Sequence, residues 1–245
     1  MLWPRATFVN MLTVTIGSLI GLWLKQFFSD DIQTIVFQAV GLGTLLIGIK
    51  MALRLPDGYL LIFMFSLIIG SVIGQVLRID LLFDNISDDL KHWIGNEDSK
   101  FSEGLITAFL LFCVGSMTIV GALEEGIHSK RELLYVKSTL DGFSSIALAS
   151  TYGIGVLFSI IPMLIFQGGI TMMAFRLRHI FSAKVQDSIS AVGGMLIIGI
   201  SIVLLDLGSI RLENLLPSLI IVCVMAYINE QYMFRNQIET KKSNN

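Results

Sequence analysis

Apolar runs of roughly 18 to 23 residues recur along this chain, the length a helix needs to cross the hydrocarbon core of a bilayer. That recurrence constrains the fold more than any other feature. In hydrocarbon every backbone N–H and C=O must be paired within the protein, which leaves helices and closed barrels. The runs are continuous rather than alternating, so they speak against a transmembrane barrel. Composition agrees: 15% of the residues are charged and 54% hydrophobic, whereas a soluble domain carries about 25% charged residues. An all-α, polytopic transmembrane helical bundle is predicted.

Eight spans are predicted: Thr7 to Leu24, Ile32 to Ile49, Tyr59 to Leu77, Gly104 to Leu123, Tyr135 to Tyr152, Val156 to Phe175, Ile189 to Leu205 and Leu215 to Tyr232. The first run resembles a signal peptide in length, but it lacks a small-x-small cleavage site and reads as a retained helix. Leu55-Pro56-Asp57-Gly58 makes a turn, because Pro presets the backbone and Gly accepts a left-handed one. Residues 78–103 form a polar connector, too charged to span, with Leu90, Trp93 and Ile94 on one face of an interfacial helix. Tyr152-Gly153-Ile154-Gly155 reads as a tight turn between the fifth and sixth spans. Residues 235–245 read as a disordered polar tail.

Eight spans place twelve of the 17 Lys and Arg residues on one side. The excess of positive charge marks the cytoplasmic side, so both termini are expected there, in a cell membrane. Phe28-Ser29-Asp30-Asp31-Ile32-Gln33 is echoed by Phe181-Ser182-Ala183-Lys184-Val185-Gln186, Ala39-Val40-Gly41 by Ala191-Val192-Gly193, and Ile47-Gly48-Ile49 by Ile198-Gly199-Ile200. A unit over residues 7–79 then corresponds to one over 156–232, flanking central helices at 104–152. An odd number of spans separates the copies, so they would lie inverted, a recurrent arrangement in secondary transporters.

The chemistry concentrates between Phe112 and Ser150. Ionisable groups in hydrocarbon are costly and mark functional sites. Lys137 and Asp141 are four residues apart and fall on one helical face, where they can pair. Asp141 lies a turn deeper and cannot snorkel as a Lys can; Gly142 beside it is expected to loosen the helix. Asp141 is the first candidate for an ion- or proton-coupling group, with a purely structural pair as the competing reading. Glu125, next to Glu124, ends the preceding span; Ser116, Thr118, Ser138, Ser144 and Ser145 add hydroxyls, and Asn10 adds an amide in the first span. Asp187 reads as a cap for the seventh helix, and Asp206 as a solvated loop acid.

Several classes are disfavoured. No basic stripe with aromatics points to nucleic acid. Cys113 and Cys223 lie in separate apolar runs, without a disulfide framework. His92, His128 and His179 lack paired ligand spacing, so no metal is expected. No nucleophile elbow, P-loop or dinucleotide fingerprint occurs, so neither an enzyme nor a cofactor is expected.

Asn10, Phe112-Cys113, Gly121-Ala122, Glu125-Gly126, Lys137-Ser138, Leu140-Asp141 and Ser190-Ala191-Val192-Gly193-Gly194 resemble, in order and spacing, a prokaryotic membrane family. It is domain-of-unknown-function family 554, which contains the YqgA and YdfK proteins. The resemblance covers nearly the whole chain. It implies an integral inner-membrane or plasma-membrane protein and supplies no substrate. The function expected from the residues is an ion- or proton-coupled secondary transporter of a small solute, working by alternating access. An ion channel or a non-transporting membrane scaffold is the alternative. Beyond the lipid bilayer and that solute or ion, a homodimer is the expected partner arrangement.

Overall fold

The computed structural model describes residues 4–27, 29–82, 85 and 100–243. Among these, the regular structure is entirely helical. Helix α1 spans Arg5–Lys25, α2 Asp30–Ala52, α3 Leu60–Leu77, α4 Phe101–Cys113, α5 Ser116–His128 and α6 Glu132–Tyr152. Helix α7 covers Gly155–Leu177, α8 Ala183–Leu204 and α9 Pro217–Ser243. Six of these regions are long and apolar enough to cross a membrane; α4 and α5, bent by 59°, would make a seventh if they act as one span. Most of the interfacial connector, including Leu90, Trp93 and Ile94, falls outside the described residues.

Helix ends follow local chemistry. Ser29 and Ser182 cap α2 and α8, their hydroxyls accepting from Ile32 N and Val185 N, which satisfies one of the N–H groups a helix start leaves free. Ser182 thus takes the capping role expected of Asp187, and the seventh helix begins earlier than its apolar run. Gly153 stops α6 at φ 79°, a conformation that costs a residue with a Cβ. Asp206 closes α8 in the left-handed region and is exposed, as a loop acid should be.

Three expectations are corrected. The fourth apolar run is not one helix: Val114 and Gly115 leave helical geometry, and the chain turns into α5. The Thr118 hydroxyl donates to the Phe112 carbonyl at 3.0 Å, occupying an acceptor near the break. Gly142 does not loosen α6, which runs unbroken. Polar residues 235–243 continue α9, since Glu, Lys, Gln and Arg are good helix formers.

Helices associate pairwise: α1 with α6, α2 with α8, α3 with α9, and α5 with α7. Small residues set the closest approaches. A Cβ on Gly17 would strike the Gly142 carbonyl and the Ser145 hydroxyl, so α1 and α6 meet backbone to backbone there. Gly48 on α2 and Gly194 on α8 make the equivalent contact. Helix α8 is the core element, with 67% of its apolar stretch buried against 18% for α2. Leu42, Leu46, Leu61 and Val76 project outward from α2 and α3, an apolar surface suited to lipid.

Candidate functional site

A buried polar centre forms where α1, α6 and α7 meet. Lys137 and Asp141, one turn apart on α6, form a direct ion pair and keep 7% and 9% of their side-chain surface exposed. An isolated charge could not be held there, because desolvation costs several kcal/mol per ion unless pairing and hydrogen bonds offset it. The Asn10 amide on α1 donates to Asp141 Oδ2 at 2.9 Å and to Gln167 Oε1 at 3.1 Å. One side chain thereby joins the carboxylate to α7. The Lys137 ammonium also lies 6.0 Å from the centroid of the Phe112 ring, at the end of α4, within cation–π range.

The backbone around the pair is held from α1. The Thr13 hydroxyl lies 2.9 Å from the carbonyls of Asn10 and Ser138, and its proton ties the two helices together. Gln167 belongs to a π-helical turn, Leu164–Gly168, within α7. Such a turn inserts a residue into the helical register, and π-turns recur at functional sites.

A second carboxylate lies one turn of α1 away. Glu125 on α5 is 1% exposed; its Oε1 accepts from Ala6 N at 3.0 Å and from Arg131 Nε at 2.9 Å. Helix α1 starts after Pro4 without a side-chain cap of its own, so Glu125 caps it from another helix and opposes the positive end of its dipole. Arg131 is 25% exposed and connects this carboxylate with the surface beside the α5–α6 turn.

The predicted residues therefore divide. Asn10, Lys137 and Asp141 converge, and Glu125 stands beside them on the same end of α1. Ser138, Ser145 and Thr118 lie nearby, but their hydroxyls donate to the carbonyls of Leu134, Gly142 and Phe112. Ser144 is half-buried on an adjoining face. Ser116 starts α5, and its side chain lies outside the described residues.

Sequence reasoning missed Gln167, Thr7, Thr13 and Arg131. Gln167 carried a signal, being the one amide in an otherwise apolar run, but two glycines follow it and the stretch reads as packing. At the far end of α6 a cleft of about 90 Å³ is lined by Glu103, Thr107, Tyr152 and Glu213 among others. It lies about 16 Å along the helix from Asp141 at 1.5 Å per residue. Among the described residues, no group of three or more His, Cys, Asp or Glu side chains could hold a metal ion.

Long apolar helices around a buried ion pair define a helical membrane protein with a polar interior. Its family follows from comparison: the chain belongs to the family described as "Protein of unknown function (DUF554)", which matches residues 5–227. It is 33% identical over 231 residues to "Uncharacterized membrane protein YdfK" of Bacillus subtilis (strain 168), covering 94% of this chain and 98% of that protein. It is 25% identical over 219 residues to "Uncharacterized protein YqgA" of Escherichia coli (strain K12), covering 87% and 92%. No solved structure matches the chain.

Proposed function

We propose that this protein is an ion- or proton-coupled secondary transporter of a small solute, with Asp141 as its coupling group. The observation that carries the reading is the buried Lys137–Asp141 pair, bridged by Asn10 to Gln167. Asp141 is one residue from the middle of α6 and Gln167 one from the middle of α7. If both helices cross the bilayer, the pair sits near the midplane, where carriers hold their substrates. Helix discontinuities support the reading as well: α4 and α5 are bent by 59° and α7 contains a π-turn. Broken helices at membrane depth are tolerated only where they are buried in protein or line a water-filled path.

In this reading α6 supplies a further crossing. Its 21 residues are long enough, and Glu132, Lys137 and Asp141, with its Ser, Thr and Tyr residues, reduce its apolarity. Together with the α4–α5 unit this gives eight spans, both termini cytoplasmic and the Tyr152 cleft facing outward. The direct packing of α2 on α8 and of α3 on α9 supports the inverted repeat, because those are the elements the two units pair. The outward apolar faces of α2 and α3 are available to lipid or to a second copy.

Flux in proteoliposomes tests the reading. Across a panel of small organic and inorganic ions, saturable uptake by the wild type that is lost in Asp141→Asn is expected. Unsaturable conductance would mean a channel, and absence of flux across the panel would mean a scaffold; either result overturns the proposal.

A further inference from the structure

Among the described residues, four buried polar atoms around this centre have no hydrogen-bond partner: Thr7 Oγ1, Asn10 Oδ1, Gln167 Nε2 and Glu125 Oε2. Their residues are 0% to 1% exposed. They lie along the first two turns of α1 and on the elements it touches there. Glu125 holds Ala6 N–H, Thr7 follows in the chain, and Asn10 holds both Gln167 and Asp141. Ala6 and Asn10 are one turn apart, so the points where α1 meets the two carboxylates are about 6 Å apart along its axis.

Buried polar atoms in native proteins are satisfied, commonly by ordered water with two to four polar partners. The chemistry of the four atoms narrows what can satisfy them. Gln167 Nε2 only donates, Asn10 Oδ1 and an ionised Glu125 Oε2 only accept, and the Thr7 hydroxyl does both. A bare metal cation suits the three oxygens but is repelled by the amide N–H. Water suits all four.

We propose that Glu125, Thr7, Asn10 and Gln167 hold a short chain of water molecules that carries protons from the cytoplasmic side to Asp141, making the proton the coupling ion. The proposal rests on the transport reading for its purpose. Arg131, a quarter exposed, marks the mouth. A hydronium ion at the mouth gives one proton to Glu125 Oε2, its O–H bond breaking to leave water, while Oε1 keeps its bonds to Arg131 and Ala6. That O–H then breaks as its proton passes to the first water, and the last water gives one of its own to Asp141. The waters end unchanged, and Glu125 returns to carboxylate. Asp141 becomes a neutral acid and Lys137 loses its counter-charge, so the centre gains one positive charge. Asp141 faces Lys137 on its own helix, Asn10 on α1 and, through Asn10, Gln167 on α7, with the Cys113 thiol of α4 within electrostatic reach. Glu125 faces Arg131 and the start of α1.

Time-resolved infrared spectroscopy of the full chain in phosphatidylcholine membranes, after an acid jump, reads the carboxylic-acid band directly and needs no solute. The wild type is expected to show an Asp141 band, identified by its loss in Asp141→Asn. Its rate of appearance should fall at least tenfold in Glu125→Gln and in the double variant Thr7→Val with Gln167→Met. Each variant must keep the wild-type elution profile and helical circular dichroism. An unchanged rate in all these variants would overturn the route. An Asp141 band that does not respond to acid, with the carboxylate bands shifting on addition of sodium instead, would overturn the proton while leaving a cation-coupled carrier intact. An acid-responsive band in a protein that moves no solute would overturn the transport reading and leave the proton path standing.

Discussion

At the scale of single residues, the decisive arrangement is a buried ion pair that neither partner could occupy alone. Removing one partner leaves an uncompensated charge, which costs about 3–5 kcal/mol, whereas an apolar pair of similar volume is often neutral. Lys137→Met should therefore unfold at markedly lower temperature in detergent, and adding Asp141→Leu should recover most of that stability. Flux should not recover in the double variant. If it did, the pair would be a structural clasp and nothing more. The i,i+4 spacing made this pair legible in the sequence, because helix geometry alone brings such residues together. The partners from other helices were not legible: Asn10 was visible as an amide, but its contact with Gln167 spans 157 positions. Where the hydroxyls donate was not legible for a related reason. Ser138 and Ser145 bond to carbonyls four and three residues back, respectively, on their own helix, a rotamer choice that composition does not encode.

At the scale of elements, helix contacts decide what glycine means. Beside Asp141 it reads as a weak point of the helix, yet Gly142 serves the approach of α1 at Gly17. Close packing at a helix crossing outweighs the small propensity penalty of one glycine. Gly17→Leu should force α1 off α6 at a cost of about 1–3 kcal/mol, read as a fall of roughly 2–12 °C in unfolding temperature. The same substitution at Gly43, where an added Cβ meets nothing within 4 Å, should leave stability nearly unchanged. An equal fall at both sites would deny the α1–α6 contact. The break at Val114 and Gly115 had no clear signal, since a single glycine without proline rarely announces a bend. The π-turn at Leu164–Gly168 likewise preserves the apolar run that a continuous helix would show.

At the scale of the whole molecule, the bilayer class was legible because it depends on run length and composition, both additive along the chain. Which helix lies beside which was not, because apolar faces of Leu, Ile and Val are interchangeable until small residues pick the close contacts. The charge asymmetry makes a separate prediction about orientation. Cysteines introduced at the exposed positions Lys130 and Asp206 should react with an impermeant reagent from opposite sides, Lys130 from the cytoplasm and Asp206 from outside. Labelling of both from one side would remove α6 from the crossings and the midplane placement of Asp141 with it.

The central claim is that the charge at Asp141 couples movement of a solute. Gradient-driven uptake in proteoliposomes, compared between the wild type, Asp141→Asn and Asp141→Glu at equal reconstituted amounts, tests it most directly. Saturable uptake by the wild type, at least a hundredfold loss in Asp141→Asn and partial retention in Asp141→Glu are expected. Equal uptake by all three proteins would contradict it.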